Sequence, residues 1–372
     1  MKAETYVAAR TISPELHSYF ACHRKKARER AEQLAPLPDA GTIETMIEAA
    51  FWASLRREEG YPPRVSLAYL PPQQAQGPFL FESPLPLGAT ALTRLAPAVE
   101  RRGLHLGVWR EGSELCVWGA TRGIPLLCFV LEVAEPGLLV VKHHNGEETR
   151  KFINVAVLEG DQIKLIEQSP SDQAGPPPLL RSLLQLDTSA HGNRSAVTVL
   201  QLAVSMREHG HGGSLLLVPA GSDSWRSSIL QPIPYAVSQA FQGRAAFGPN
   251  GSAAPETAGA DIAAIGGLTA VDGAVILNNR FELLGFGAKI VRALGSKPVE
   301  QVYLTEPIRG ALPSRVHPDE LGGTRHLSAA QFVHDQRDAV ALVASQDGRF
   351  TVFEWSAAEG TVRAHRVETL LL

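Results

Sequence analysis

Residues 322–346, GGTRHLSAAQFVHDQRDAVALVASQ, combine a helix start, a helical run and a buried strand in one short stretch. Two glycines precede Thr324, Arg325 and His326, and small residues at helical spacing follow at once. One interpretation is an ordinary surface helix with Thr324 as its N-cap and the charged groups in solvent. The other is an anion site, because a helix start offers free N–H groups and a positive dipole to a phosphate.

The stretch belongs to an alternating pattern of helices and strands. The amphipathic run SAVTVLQLAVSMREHG predicts a helix, and GSLLLVPAG, GAVILN, FELLGFGAKI, AVALVASQ and FTVFEW predict strands. Residues 247–261, FGPNGSAAPETAGAD, predict a mobile loop. Helices interleaved with buried strands predict an α/β fold, in which a mixed central sheet is flanked by layers of helices.

The first half of the chain has a different pattern. Two helices are predicted within residues 13–60, the first starting at Ser13 and Pro14 and the second running from Thr42 to Gly60. Residues 64–167 contain short runs rich in Val, Leu and aromatic residues, separated by turn signals. This half therefore predicts an α+β, strand-rich domain with a mostly antiparallel sheet.

Residues 168–178, QSPSDQAGPPP, are polar and rich in Pro and Gly, which predicts a linker. A chain of 372 residues is also too long for one typical core. The sequence therefore predicts two domains, residues 1–167 and residues 179–372.

The overall composition limits the classes of partner. A hydrophobic content of 44% and a net charge of −3 are typical of a globular protein with no general attraction to nucleic acid or anionic membranes. The three cysteines lack metal-type spacing, which favours a reduced interior. No apolar run has membrane-spanning length, and the first twenty residues lack the apolar segment of a secretory signal. We expect a soluble cytoplasmic protein without a membrane span or a nucleic-acid polymer as partner.

Two further features are candidates for chemistry. Asp272, Gly273 and Ala274 open an apolar strand, where a carboxylate can hold a divalent cation and a glycine lets a substrate approach the backbone. Alone this motif is weak, because Asp-Gly is a common turn. Ser345 ends the buried strand AVALVA, a position where ligand sites of α/β sheets collect.

These features, in this order, resemble the diadenylate cyclase (DAC, or DisA_N) family. That family carries a DGA motif, then a GTRH(R) motif that opens a helix, then a strand that ends in a serine. The matching stretches here are DGAVIL, GTRHLSAA and ALVASQ, within residues 180–356. The N-terminal half resembles the DACNV-type probable sensor domain found ahead of such cyclases, in its general pattern rather than in a motif.

The resemblance implies an activity and a role for each site residue. Two ATP molecules would be joined into cyclic di-AMP with release of two pyrophosphates, and Asp272 would hold Mg²⁺ or Mn²⁺ and help to activate the attacking ribose 3′-hydroxyl. Two such domains would have to face each other in a homo-oligomer, because each holds one ATP. Catalysis is assigned to Asp272, Arg325 and His326, and nucleotide binding to Gly273, Ala274, Ile290, Gly323, Thr324 and Ser345.

The chain departs from the family pattern at one position of the phosphate cluster. The family commonly has a second arginine after the histidine, where this chain has Leu327. The segment 295–323 is also longer than expected and contains Arg309 and Arg315, either of which could replace the missing cation.

Three functions are therefore compatible with the sequence. The first is an active diadenylate cyclase regulated by an unknown small-molecule or protein signal at the N-terminal domain. The second is a degenerate cyclase that binds ATP or a cyclic dinucleotide without turnover. The third is an interaction protein without enzymatic activity. Asp272 argues against the second function, because a pure binder needs no metal-holding carboxylate, and the intact Gly-Thr-Arg-His run argues against the third.

Overall fold

The computed structural model describes residues 5–27, 34–100, 103–144, 152–166, 190–242 and 255–372, with no side chains for 190–197, 238–242 and 255–260. The chain divides into two compact units, Met1–Ile166 with Leu372 (unit 1) and Glu167–Leu371 (unit 2). Each unit contains one mixed sheet. The predicted linker at 168–178 lies outside the described residues.

Helices of unit 1 cover one face of its sheet. They are α1 (Val7–Ala27), α2 (Ala40–Ser54) and α3 (Ala89–Val99). The predicted helix starts at Ser13 and Thr42 are wrong: Pro14 lies inside α1, and Asp39 caps α2 by accepting a hydrogen bond from the Thr42 N–H at 2.7 Å. The predicted end of the second helix at Gly60 is too late, because α2 ends at Ser54.

The strand-rich pattern of residues 64–167 is confirmed. The strands are β1 (Val65–Tyr69), β2 (Phe79–Pro86), β3 (His105–Glu111), β4 (Glu114–Thr121), β5 (Phe129–Glu135), β6 (Leu138–His144), β7 (Phe152–Glu159) and β8 (Gln162–Leu165). Their order in the sheet is β2-β4-β3-β1-β5-β6-β7-β8, and only the β1–β3 pairing is parallel among these described strands. The sequence did not predict β2 and α3.

Unit 2 contains the second mixed sheet. Its strands are β9 (Gly213–Val218), β10 (Tyr235–Gln242), β11 (Ala274–Asn278), β12 (Glu282–Ala288), β13 (Val302–Thr305), β14 (Ser314–Val316), β15 (Val340–Ala344), β16 (Phe350–Ser356) and β17 (Thr361–Arg366). Their order is β10-β12-β11-β9-β15-β16-β17-β13-β14. The predicted strands β9, β11, β12, β15 and β16 are confirmed, and the remaining four were not predicted.

The described helices of unit 2 are α4 (Ala190–Glu208), α5 (Pro255–Leu268), α6 (Pro318–Leu321), α7 (Thr324–Asp335) and α8 (Glu368–Leu371). Helix α7 packs on β15, β16 and β17, whereas α4 packs on α5 and β15. The predicted loop at 247–261 is wrong from Pro255 onward, because α5 begins there; residues 247–254 lie outside the described residues. No described helix has the length and apolar character needed to cross a membrane.

Strand register decides which segments meet at one end of the unit 2 sheet. Ser214 of β9 pairs with Ala274 of β11 in parallel and with Val343 of β15 in antiparallel. The start of β9, the start of β11 and the end of β15 therefore lie at the same end of the sheet. We call this end, with the loops that extend from it, the motif end.

Candidate active site at one end of the unit 2 sheet

The DGA and serine motifs both lie at the motif end. Gly213 of β9 pairs with Ala344 of β15, so Asp272 and Ser345 extend from strands on either side of β9. Neighbouring strands are about 4.8 Å apart, so β11 and β15 are about 10 Å apart. This separation is within the length of a bound nucleoside triphosphate.

The backbone around Asp272 depends on glycine. Gly273 has a φ of +105°, and a Cβ atom there would collide with the backbone of Gly287 in β12. Gly273 is therefore required by the close approach of two strands, independently of any ligand. The Asp272 side chain is exposed in the bend that precedes β11. Ala274 is buried and pairs with Ala288 of β12.

The first turn of α7 has no side-chain cap. The N-cap residue is Gly323, not Thr324 as one interpretation expected, and no side chain accepts from the first N–H groups of the helix. Thr324 and Arg325 are both exposed at this helix start. The uncapped N–H groups and the helix dipole can therefore bind an external acceptor.

Arg325 extends from this helix start to the glycine loop before β9. A Cβ atom at Gly212 would lie 3.1 Å from Nη1 of Arg325 and 3.3 Å from Cγ of Gln346. Gln346 also donates from Nε2 to the His211 carbonyl at 3.3 Å. The helix start, the loop and the segment after β15 therefore lie together.

The loop HGHGG (209–213) follows the end of α4. Gly210 donates its N–H to the Arg207 carbonyl at 3.2 Å, which closes the end of the helix. Nε2 of His209 lies 3.0 Å from Oγ1 of Thr269, three residues before Asp272. The loop therefore connects the surroundings of Arg325 with those of Asp272, which the sequence did not predict.

His326 is buried, unlike its neighbours in the motif. Its side chain is 1% exposed, and its Nε2 has no hydrogen-bond partner among the described residues. Burial lowers the pKa of His326 to about 4; Asp347 opposes this shift, and the charges of Arg366, Arg349 and Arg325 add to it. The imidazole is therefore neutral at pH 7. The catalytic role assigned to His326 stays a prediction.

Ser345 lies in the turn between β15 and β16. Its side chain hydrogen-bonds to Asp347. Partial burial opposes ionisation of Asp347, but the hydrogen bonds from Ser345 and from the Arg349 backbone, together with the Arg349 charge, hold the pKa of this carboxyl below its ordinary value. Ser345 is thus already bonded to a carboxylate in this structure.

Ile290 follows the end of β12 that pairs with Ala274. It is half-buried, forms an isolated bridge with Ile229 and packs against the core beneath α7. Leu327, the position of the missing arginine, is half-buried in the first turn of α7.

Both expected substitute arginines extend from the β13–β14 side of the sheet. Arg315 is in β14, four strands from β15, or about 19 Å across the sheet. Arg309 is in the connection between β13 and β14, and β13 is three strands, or about 14 Å, from β15.

The polar segment SDSWRSSI (residues 222–229) lies at the other end of α7. Gln336 at the C-terminal end of α7 donates to Ser227 at 3.1 Å and to Ser228 at 2.8 Å. Since α7 has 12 residues, this segment is about 18 Å from the helix start.

The metal-binding capacity of the site depends on Asp272. In the part of the chain that the structure describes, no three His, Cys, Asp or Glu side chains form a group that could hold a metal ion. Mg²⁺ typically keeps several waters and binds through one or two carboxylates and the phosphates of a substrate. The exposed Asp272 carboxylate fits an ion that is shared with a triphosphate, and the described residues do not fit an ion held by the protein alone.

Comparison with known proteins gives a family match in the first half of the chain. Residues 32–122 match the family model described as "Probable sensor domain DACNV", a domain found in diadenylate cyclase-type proteins. No curated protein matches the chain. The matched residues lie entirely within unit 1, so part of this unit is similar to a sensor domain.

Proposed function

We propose that unit 2 is a diadenylate cyclase, which joins two ATP molecules into cyclic di-AMP and releases two pyrophosphates. One observation carries the proposal: Asp272, Arg325 and Ser345, far apart in the sequence, extend from elements that meet at the motif end. The sensor-domain match in unit 1 adds support, because that domain is found in cyclase-type proteins.

The phosphate groups of ATP would bind between the start of α7 and the glycine loop. Arg325 and the uncapped N–H groups of α7 would donate hydrogen bonds to phosphate oxygens. Gly212 leaves room beside the Arg325 guanidinium, where any side chain would press on it. His326 would support the helix start from the core as a neutral ring, and would not contact phosphate.

Asp272 would hold a divalent ion together with the bound triphosphate. The ion, when bound, supplies positive charge to the reacting phosphate and the attacking hydroxyl. The 3′-hydroxyl oxygen of one ATP bonds to the α-phosphorus of the other, its proton is released, and pyrophosphate leaves with the electrons of the broken P–O bond. The same exchange in the opposite direction closes the ring. Two copies of unit 2 must face each other for both steps.

A second candidate is a nucleotide-binding protein without turnover. Leu327 and the neutral His326 favour it, because they leave Arg325 as the only cation that the GTRH motif contributes. The test is to incubate the purified full chain with ATP and Mn²⁺ and to identify the product by mass. Cyclic di-AMP formation by the wild type, and its loss in Asp272→Asn, supports the cyclase. Tight ATP binding without product would support the second candidate.

Unit 1 would regulate this activity in response to an unknown signal. The residues of the proposed site all lie in unit 2, and the sensor-domain match lies in unit 1. A chain that begins near residue 179 should still make the dinucleotide, at a changed rate. Complete inactivity of a truncated chain with native circular dichroism would contradict a purely regulatory unit 1.

A further inference from the structure

The turn between β15 and β16, residues 345–349, brings an additional arginine to the motif end. The Ser345 N–H donates to the Arg349 carbonyl at 2.9 Å, and the Gly348 N–H donates to the Ser345 carbonyl at 3.2 Å. These bonds close a tight turn. The turn follows Ala344, whose carbonyl oxygen lies close to Gly212. If Gly212 had a Cβ atom, that atom would lie 3.1 Å from this oxygen and 3.1 Å from Nη1 of Arg325.

The Arg349 side chain is positioned by a carboxylate of the same turn. Its Nε lies 3.5 Å from Oδ2 of Asp347, and its side chain is 50% exposed. Among the described residues, its two terminal nitrogens have no hydrogen-bond partner. A guanidinium has five N–H donors in a planar fork, so Arg349 can remain beside Asp347 and still donate to a phosphate.

The charges of Arg349 and Arg325 both act on the buried imidazole of His326. Both lower the pKa of His326, which lies beneath the first turn of α7. Arg366 also acts on this ring, but its side chain is mostly buried and pairs with Glu306 at 2.9 Å. Of these three arginines, Arg349 and Arg325 are the two that are exposed.

We propose that Arg349 is a second phosphate-binding residue of unit 2, that it replaces the cation lost at Leu327, and that Asp347 positions it. This inference rests on the proposed binding of ATP at the motif end. It explains how a site with Leu327 in its first turn retains two cations. It also assigns the replacement to a turn adjacent to Gly212 rather than to Arg309 or Arg315.

The experiment compares Arg349→Gln with a matched control, Arg226→Gln, in the full chain. Arg226 is also an exposed arginine of unit 2, 51% exposed and paired with a nearby aspartate at 2.8 Å, but it lies beside the C-terminal end of α7. Arg349→Gln should lower kcat/KM for ATP by about ten- to a hundredfold. It should also weaken the increase of KM with salt, because one screened charge contact is lost. Arg226→Gln should stay within about twofold of wild type, the scatter expected for a distant surface residue.

Rescue by a second substitution tests the claim of replacement. Leu327→Arg in the Arg349→Gln chain should recover most of the lost kcat/KM. Asp347→Asn should raise KM more than it lowers kcat, because the carboxylate only holds Arg349 in place. Failure of Leu327→Arg to restore activity would overturn the claim that Arg349 replaces the missing arginine.

The proposal can fail independently of the cyclase activity. If the wild type makes no cyclic di-AMP, the proposed function fails, and the same variants are then compared by ATP titration alone. Weaker ATP binding in Arg349→Gln than in Arg226→Gln would still support the phosphate contact. Values of kcat/KM and ATP Kd within about twofold of wild type for Arg349→Gln would overturn it.

Discussion

Arg325 and Gly212 are in close contact across the motif end: a Cβ atom at Gly212 would lie 3.1 Å from Nη1 of Arg325. Gly212 has a φ of +69°, so its backbone conformation also favours glycine. The contact links the helix start of the GTRH motif to the loop before the central strand β9. The side chain proposed to bind phosphate thus lies against a residue more than a hundred positions earlier.

This contact predicts the effect of Gly212→Ala. The added methyl group should displace the Arg325 guanidinium and lower kcat/KM for ATP. Gly210→Ala is the matched control, because Gly210 has a φ of +67° but no atom within 4 Å of the added Cβ. Both variants should lose about 1–2 kcal/mol of stability from backbone strain. Equal activities in the two variants would show that the position of Arg325 does not matter.

Asp272→Asn should abolish turnover and leave the fold intact. The substitution preserves the shape of an exposed side chain but removes the charge that would hold the ion. Product formation should fall by at least about a hundredfold, with an unchanged Tm. Near-normal product formation would remove Asp272 from the mechanism.

Arg325→Ala should weaken ATP binding and slow the reaction together, because a charge-assisted contact is lost in the ground state and the transition state. We expect a loss of about ten- to a hundredfold in kcat/KM. Arg280→Ala is a suitable control, because Arg280 is exposed after the opposite end of β11. Steady-state kinetics and ATP titration check both variants. If both variants keep the kcat/KM and the ATP Kd of the wild type, the start of α7 is an ordinary helix start that binds no phosphate.

The buried imidazole of His326 predicts a loss of stability in acid. Its pKa is about 4 in the folded chain, against an ordinary value of 6.5. Below pH 6.5 the unfolded chain takes up a proton that the folded chain excludes, so stability falls as the pH decreases towards 4 and is unaffected above 6.5. At pH 5 the effect is about 2 kcal/mol. His326→Gln should lose less stability than wild type between pH 7 and pH 5, measured by denaturant unfolding, whatever its stability at pH 7. An equal loss in both chains would mean that His326 is not the group responsible.

The sequence predicted the elements that have a strong periodic signal. Strands β9, β11 and β15 are continuous apolar runs and were found, whereas β2 was not. Strand β2 lies at the edge of its sheet, contains Pro84 and Pro86 and is mostly exposed, so it lacks the apolar alternation of a half-buried strand. Helix α5 was missed at its start because Pro255 and the Ala- and Gly-rich residues after it are typical of a loop.

The sequence also singled out three residues of the candidate site, Asp272, Arg325 and Ser345, but not the residues around them. Asp272 and Ser345 could be placed at strand ends from the pattern alone. The proposed role of Arg349 could not be predicted, because SQDGR has the composition of any tight turn. Only the register of β15 with β9 brings the start of this turn, at Ala344 and Gln346, close to Gly212. The burial of His326 was hidden for a similar reason, since a position in the first turn of a helix can face either solvent or core.

The most direct test of the central claim is a reaction with an equal mixture of unlabelled and isotopically labelled ATP, in the presence of Mn²⁺ and the full chain. A diadenylate cyclase joins nucleotides from two molecules, so we predict light, mixed and heavy cyclic di-AMP in statistical proportions, with the mixed species most abundant. One pyrophosphate should appear for each ATP consumed. A folded, ATP-binding chain that yields no mixed product would contradict the account.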